Sequence, residues 1–288
     1  MRAVFKRELL TCMSGLRGWG YAALMLLASG IAVAYYNLYS GSAEILYALT
    51  FAEYALIPAV PMLCADSMAR DRRDGTDRLL RSLPCGSLSV VLGKYLALVC
   101  AAALPVAVLC LYPLLFSLYG TVNFAASYTS ILNFFLLSAA FAAVCQFLSS
   151  LTTRWPIAFG TGTAVLLLLY FLPILMYFLP TSPWVSYAAL VLVALLTAGA
   201  GFLFTRSPVV SAVTGVVLTA VLTAGFLLQK EYFGGLFYDL TLLLSPFMRY
   251  EEAGLYGLLD VNALLLLLAV PLLFLWLTTA VTERRRCR

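Results

Sequence analysis

Apolar runs long enough to cross a bilayer recur along almost the whole chain, joined by short polar segments. A helix needs about 20 apolar residues to span the hydrocarbon core. Eight stretches qualify: residues 19–39, 45–64, 95–119, 130–151, 157–179, 184–204, 209–228 and 262–281. What remains is too short for a soluble domain, so the 288 residues read as one membrane-embedded domain. Composition agrees, with 63% hydrophobic and 11% charged residues against ~25% charged in soluble domains. The expected fold is an all-α polytopic membrane protein of about eight transmembrane helices. It is flanked by an amino-terminal interfacial helix, a cytoplasmic helix and outer amphipathic helices before the last span.

The main polar interruption is residues 66–94, which holds six of the 18 basic residues and four of the 13 acids. Gly75 precedes Thr76 and Asp77, either of which suits a helix N-cap. Leu79, Leu80 and Leu83 then share one face, and Pro84, Cys85 and Gly86 end the pattern. Two readings fit, a solvated connector between spans or an amphipathic helix that docks a cytosolic partner. Loop charge orients the chain. With the amino terminus inside, sixteen of the eighteen basic residues fall on the cytoplasmic side and only Lys230 and Arg249 fall outside. Both termini are therefore expected in the cytoplasm, and the net charge of +5 needs no nucleic-acid partner.

Residues 1–18 predict a helix in the headgroup plane, with Phe5, Leu9, Met13 and Leu16 on one face and Arg2, Lys6 and Arg17 off it. A cleaved leader is the alternative. Glu8 in the polar lead and the span-length apolar run argue for a retained segment. Residues 229–261 predict two short helices at the outer interface, broken at Ser245-Pro246, with Phe237, Leu240, Leu243 and Leu244 as a stripe.

Candidate chemistry is sparse. The chain has no histidine, and its seven cysteines form no CxxC pair, so neither a metal site nor a disulfide framework is expected. No phosphate-binding GxxxxGK[ST] loop is present. The pairs Gly160/Gly162 and Gly199/Gly201 suit close helix packing. Glu53 is the one acid inside a span. It is either a structural residue or, with Asn133 and Gln146 of the fourth span, the lining of a substrate path. The amides serve equally well as helix–helix hydrogen bonds.

Several motifs in order resemble the permease subunits of ABC-2-type transporters, in the branch of gliding-motility permeases and their Clostridia-type relatives. They are Phe5-Lys6-Arg7-Glu8-Leu9; Arg72-Arg73-Asp74-Gly75-Thr76-Asp77-Arg78-Leu79-Leu80 with Pro84 and Gly93-Lys94; and Phe147-Leu148-Ser149-Ser150-Leu151-Thr152. Ser245-Pro246-Phe247-Met248-Arg249-Tyr250, Gly257-Leu258-Leu259-Asp260 and Glu283-Arg284-Arg285-Arg286 complete the set. Asp71 stands where the family commonly has Glu, Thr153-Arg154-Trp155-Pro156 replaces a polar turn, and the hairpin 157–204 adds to the family's usual six spans.

The resemblance implies a bacterial cell-membrane exporter subunit that pairs with a second copy or a related permease, among membrane lipids. It would be driven by a separate cytosolic ABC ATPase, which binds ATP and Mg while this chain binds no cofactor and is not itself an enzyme. It assigns ATPase coupling to Phe5, Arg72, Arg73, Gly75, Thr76, Leu79, Leu80, Leu83, Pro84 and Lys94. The competing readings are a secondary transporter or channel using Glu53 and a non-transporting assembly factor.

Overall fold

A computed structural model of the chain describes residues 2–39, 41, 44–76, 86–118, 120–178, 182–205, 208–228, 230–257 and 260–286. Among these residues the regular structure is helical throughout, with no strand. Six helices among the described residues are long and apolar enough to cross a membrane: Leu16–Tyr39, Leu46–Arg73, Ser87–Phe116, Phe124–Leu151, Trp155–Leu175 and Val261–Arg284. The predicted sixth and seventh spans contain shorter apolar stretches, Pro183–Leu195 and Gly215–Leu227. They lie in helices Pro183–Thr205 and Pro208–Leu228. The chain forms two compact units, residues 1–168 with 249–288, and residues 169–248.

The larger unit opens with α1 (Arg2–Ser14), which ends at an extended Gly15 before α2 (Leu16–Val33) begins. The predicted helix 1–18 is thus two helices with a break. The Trp19 indole donates to the Met13 carbonyl at 2.7 Å, satisfying one of the last-turn acceptors of α1. The buried face of α1 also departs from expectation. It carries Glu8 and Cys12, while Leu16 is 85% exposed. The reason is electrostatic, because Glu8 has a partner in the neighbouring helix.

The second apolar run is α3 (Leu46–Ala52), a 3-10 turn (Glu53–Ala55) and α4 (Leu56–Arg73). Pro58 and Pro61 bring no N–H groups to the helix ladder just past that turn. The helix then runs on well past residue 64. Residues 66–73 are therefore the last two turns of α4, with Asp66 and Ser67 buried, rather than the start of a water-filled loop. Arg70, Arg72 and Arg73 in its last turn suit the negative helix end, and Gly75 leaves it in the left-handed conformation, φ +71°.

The third run is α5 (Ser87–Leu109), which keeps Pro105 inside it, followed by α6 (Tyr112–Phe116). Pro113 sits in the first turn of α6, where its missing N–H costs no helix bond. The central element is α7 (Phe124–Leu151), the most buried span. Asn123 caps it by accepting the Ala126 amide at 3.3 Å. Buried Ser138, Ala139, Ala140, Ala142 and Ala143 let neighbouring helices approach α7 closely. Tyr21 of α2 bonds Ser138 at 3.0 Å, and Tyr95 of α5 donates to the Ala139 carbonyl at 3.2 Å. α8 (Trp155–Phe178) follows.

The smaller unit pairs α9 (Pro183–Thr205) with α10 (Pro208–Leu228). Phe226 packs between Trp184 and Tyr187, with ring centroids 4.8 and 4.7 Å away, and meets Phe233 at 5.5 Å. The two short helices expected from residues 229–261 are present as α11 (Leu236–Leu244) and α12 (Pro246–Tyr256), separated at Ser245 as anticipated. Phe237, Leu240 and Leu244 of the predicted stripe line an apolar cavity of about 240 Å³ with Leu172, Leu190 and Val193. Leu243 stands exposed. In the larger unit α13 (Val261–Arg286) packs along α7, where Phe274 meets Phe147 at 5.6 Å.

Candidate functional site

One end of the larger unit gathers a network of charged groups. α2 and α5 begin there, and α4 and α7 end there. Lys94 lies two turns into α5 and is 0% exposed. Its amine reaches Asp71 at 2.5 Å and Glu8 at 3.8 Å, and it donates to the Ser67 carbonyl. Arg7 bonds Asp71 at 3.2 Å and stands 4.0 Å from Glu8. Two cations and two carboxylates therefore close a neutral network across α1, α4 and α5. That balance is what lets an ammonium sit out of water, since an unpaired buried charge costs several kcal/mol. A second cluster sits beside it, with Asp66 held by Arg17 at 2.6 Å and by Arg73 at 4.0 Å.

Further hydrogen bonds tie α7 into the same end. The Ser149 hydroxyl donates to the Ala65 carbonyl at 2.7 Å and accepts the Met68 and Ala69 amides, each at 3.2 Å. Arg72 donates to the Thr152 carbonyl at 3.3 Å. Gln146 donates to the Val91 carbonyl of α5 at 3.1 Å. Burial pushes the Cys12 thiol up to about 11, so this cysteine is a poor nucleophile at neutral pH. Cys12, Cys64, Cys100, Cys110 and Cys145 are all free thiols, and the described residues hold no group of metal-ligating side chains.

The predicted site residues divide accordingly. Lys94, Arg72, Arg73, Gly75 and Thr76 converge at this end. Thr76 turns its hydroxyl back to donate to the Asp71 carboxylate at 2.9 Å. Phe5 is half-buried on α1, one turn from Glu8. Leu79, Leu80, Leu83 and Pro84 lie outside the described residues. Gln146 belongs to this end, where it joins two helices. It is thirteen residues along α7 from Asn133, about 20 Å.

Arg7, Glu8, Asp66, Asp71 and Ser149 complete the network, and reading the sequence residue by residue does not single them out. A signal was present. A lysine seven residues into an apolar helix needs a carboxylate, and Glu8 is the one acid in a basic amino-terminal segment.

Glu53 and Asn133 form a separate feature. Each is 1% exposed, and neither carboxylate oxygen nor either amide atom has a hydrogen-bond partner.

No family model matches the chain, and no curated protein matches it.

Proposed function

We propose that this chain is the membrane-spanning permease subunit of an ATP-binding-cassette exporter, driven by a separate cytosolic ATPase. In this reading it has eight spans, with α9 and α10 completing the set, and both termini are cytoplasmic. α1 is an elbow helix at the membrane surface, and two permease chains form the pathway in a bacterial cell membrane.

The observation that carries the reading is the ion-paired joint. The segment between α4 and α5 holds Leu79, Leu80 and Leu83 among arginines, a ridge suited to a partner's groove. Its two flanking helices are clamped together by Lys94 and Asp71, and Glu8 and Arg7 join α1 to the same clamp. A push delivered to that segment therefore moves α1, α4 and α5 as one, and Ser149 passes the motion to α7. This is what a subunit with no phosphate-binding loop requires if ATP is hydrolysed in a partner.

The test is affinity purification from native membrane in mild detergent, followed by mass spectrometry and an ATPase assay. The expected result is a stoichiometric soluble ATPase, lost in Leu79→Asp and Leu80→Asp variants that still insert. A chain that purifies alone under several gentle conditions overturns the reading.

A further inference from the structure

Glu53 sits where the helix formed by α3 and α4 runs alongside α7. Three contacts set the register of the two. A Cβ on Gly257 would fall 2.4 Å from Ala126 and 3.3 Å from Leu46, so these two residues lie at one level. Gly162 touches both Pro61 and Cys145, and Ser149 bonds Ala65. Counting seven residues from Leu46 reaches Glu53, and seven from Ala126 reaches Asn133. Counting back from the other two contacts sets Glu53 beside Leu137, so the two unpartnered side chains lie within about one turn of each other. Phe134, the next residue, has its ring 6.0 Å from that of Tyr250. Tyr250 is fully buried, lies within the electrostatic reach of Glu53, and has a hydroxyl without a partner.

Three elements thus bring four unpaired oxygens into one buried region: two from Glu53, one from Asn133 and one from Tyr250. Buried polar atoms are nearly always satisfied, and a group that is not needs a reason. The surrounding charge points the same way. The charged residue acting on Glu53 is another carboxylate, Glu251, while Arg249 is paired with Glu252 at 3.1 Å. No cation among the described residues pairs with Glu53. Hard oxygen donors that include a single deeply buried carboxylate match an alkali cation, while softer metals would call for sulfur or imidazole. The 3-10 turn at Glu53–Ala55 interrupts the helix at this point, as a mid-helix hinge or strained sequence does.

We propose that Glu53, Asn133 and Tyr250 form an intramembrane binding site for a monovalent alkali cation. The site stands independently of the ATPase reading, because it lies far from the ion-paired joint and asks nothing of a partner.

Sodium is the probe. The full chain, purified in detergent, is heated in sodium, potassium or choline chloride at equal ionic strength, and radioactive sodium binding is measured directly. Sodium, or sodium and potassium, should raise the Tm of the wild type saturably over choline, with about one cation bound per chain. Glu53→Gln should abolish both effects. Tyr250→Phe should raise the half-saturating concentration roughly tenfold, the worth of one lost oxygen contact. It also carries the test if Glu53→Gln fails to fold. Equal Tm in all three salts with no bound sodium overturns the proposal. So does a Glu53-dependent pH effect without cation dependence, which assigns the site to a proton.

Discussion

Lys94 shows how one residue can demand the arrangement around it. An ammonium cannot be left dry and unpaired, so its burial requires both Glu8 and Asp71 to be present. Removing the amine leaves two carboxylates with one cation, Arg7, so one negative charge is stranded. Lys94→Met should therefore cost on the order of 3–5 kcal/mol, the usual penalty for breaking a buried pair. Combining it with Asp71→Asn should recover part of that loss, because the stranded charge goes with it. Thermal unfolding of the detergent-solubilised variants measures both. A Lys94→Met protein with wild-type Tm would mean the amine reaches water after all. Lys94 could be named from the sequence as part of the joint, but its partners could not. Arg7 and Asp71 are 64 residues apart, and spacing alone does not choose among thirteen acids.

At the scale of elements, helix existence was largely legible and helix detail was not. The six long apolar helices and the pair α11 and α12 follow from run length and from the Ser245-Pro246 break. The end of α4 does not. Charged residues ordinarily mark the water boundary, yet here Asp66 stays inside a helix because Arg17 and Arg73 reach it.

Small residues give a parallel case. Gly160 and Gly162 look alike in the sequence as packing glycines. A Cβ on Gly162 would stand 3.1 Å from the Cβ of Pro61 and 3.5 Å from the sulfur of Cys145, while one on Gly160 would meet nothing within 4 Å. Gly162→Val should accordingly destabilise by roughly 1–3 kcal/mol through overpacking, and Gly160→Val should be near neutral. Comparing their Tm values separates the two positions, and equal values would remove Gly162 from the α4–α7 contact. Only the helix packing distinguishes them, since two residues along a helix is a turn of about 200°.

For the whole molecule, the expected topology follows from charge. Cys85, in the segment between α4 and α5, should be labelled by an impermeant thiol reagent only after cells are opened, and a cysteine placed at Lys230 should be labelled in intact cells. Labelling of Cys85 in intact cells would invert the topology. By itself the sequence determined that this chain is helical and built to cross a membrane repeatedly. In hydrocarbon, apolar runs of about 20 residues satisfy their backbone as helices. Tertiary structure alone decided which polar residues are spent holding helices together and which are left over. Gln146 and Asn133 are both buried amides of α7, yet the first finds the Val91 carbonyl and the second finds nothing. That difference depends on what the neighbouring helix presents at the same depth, and depth is set by how distant segments of chain pack.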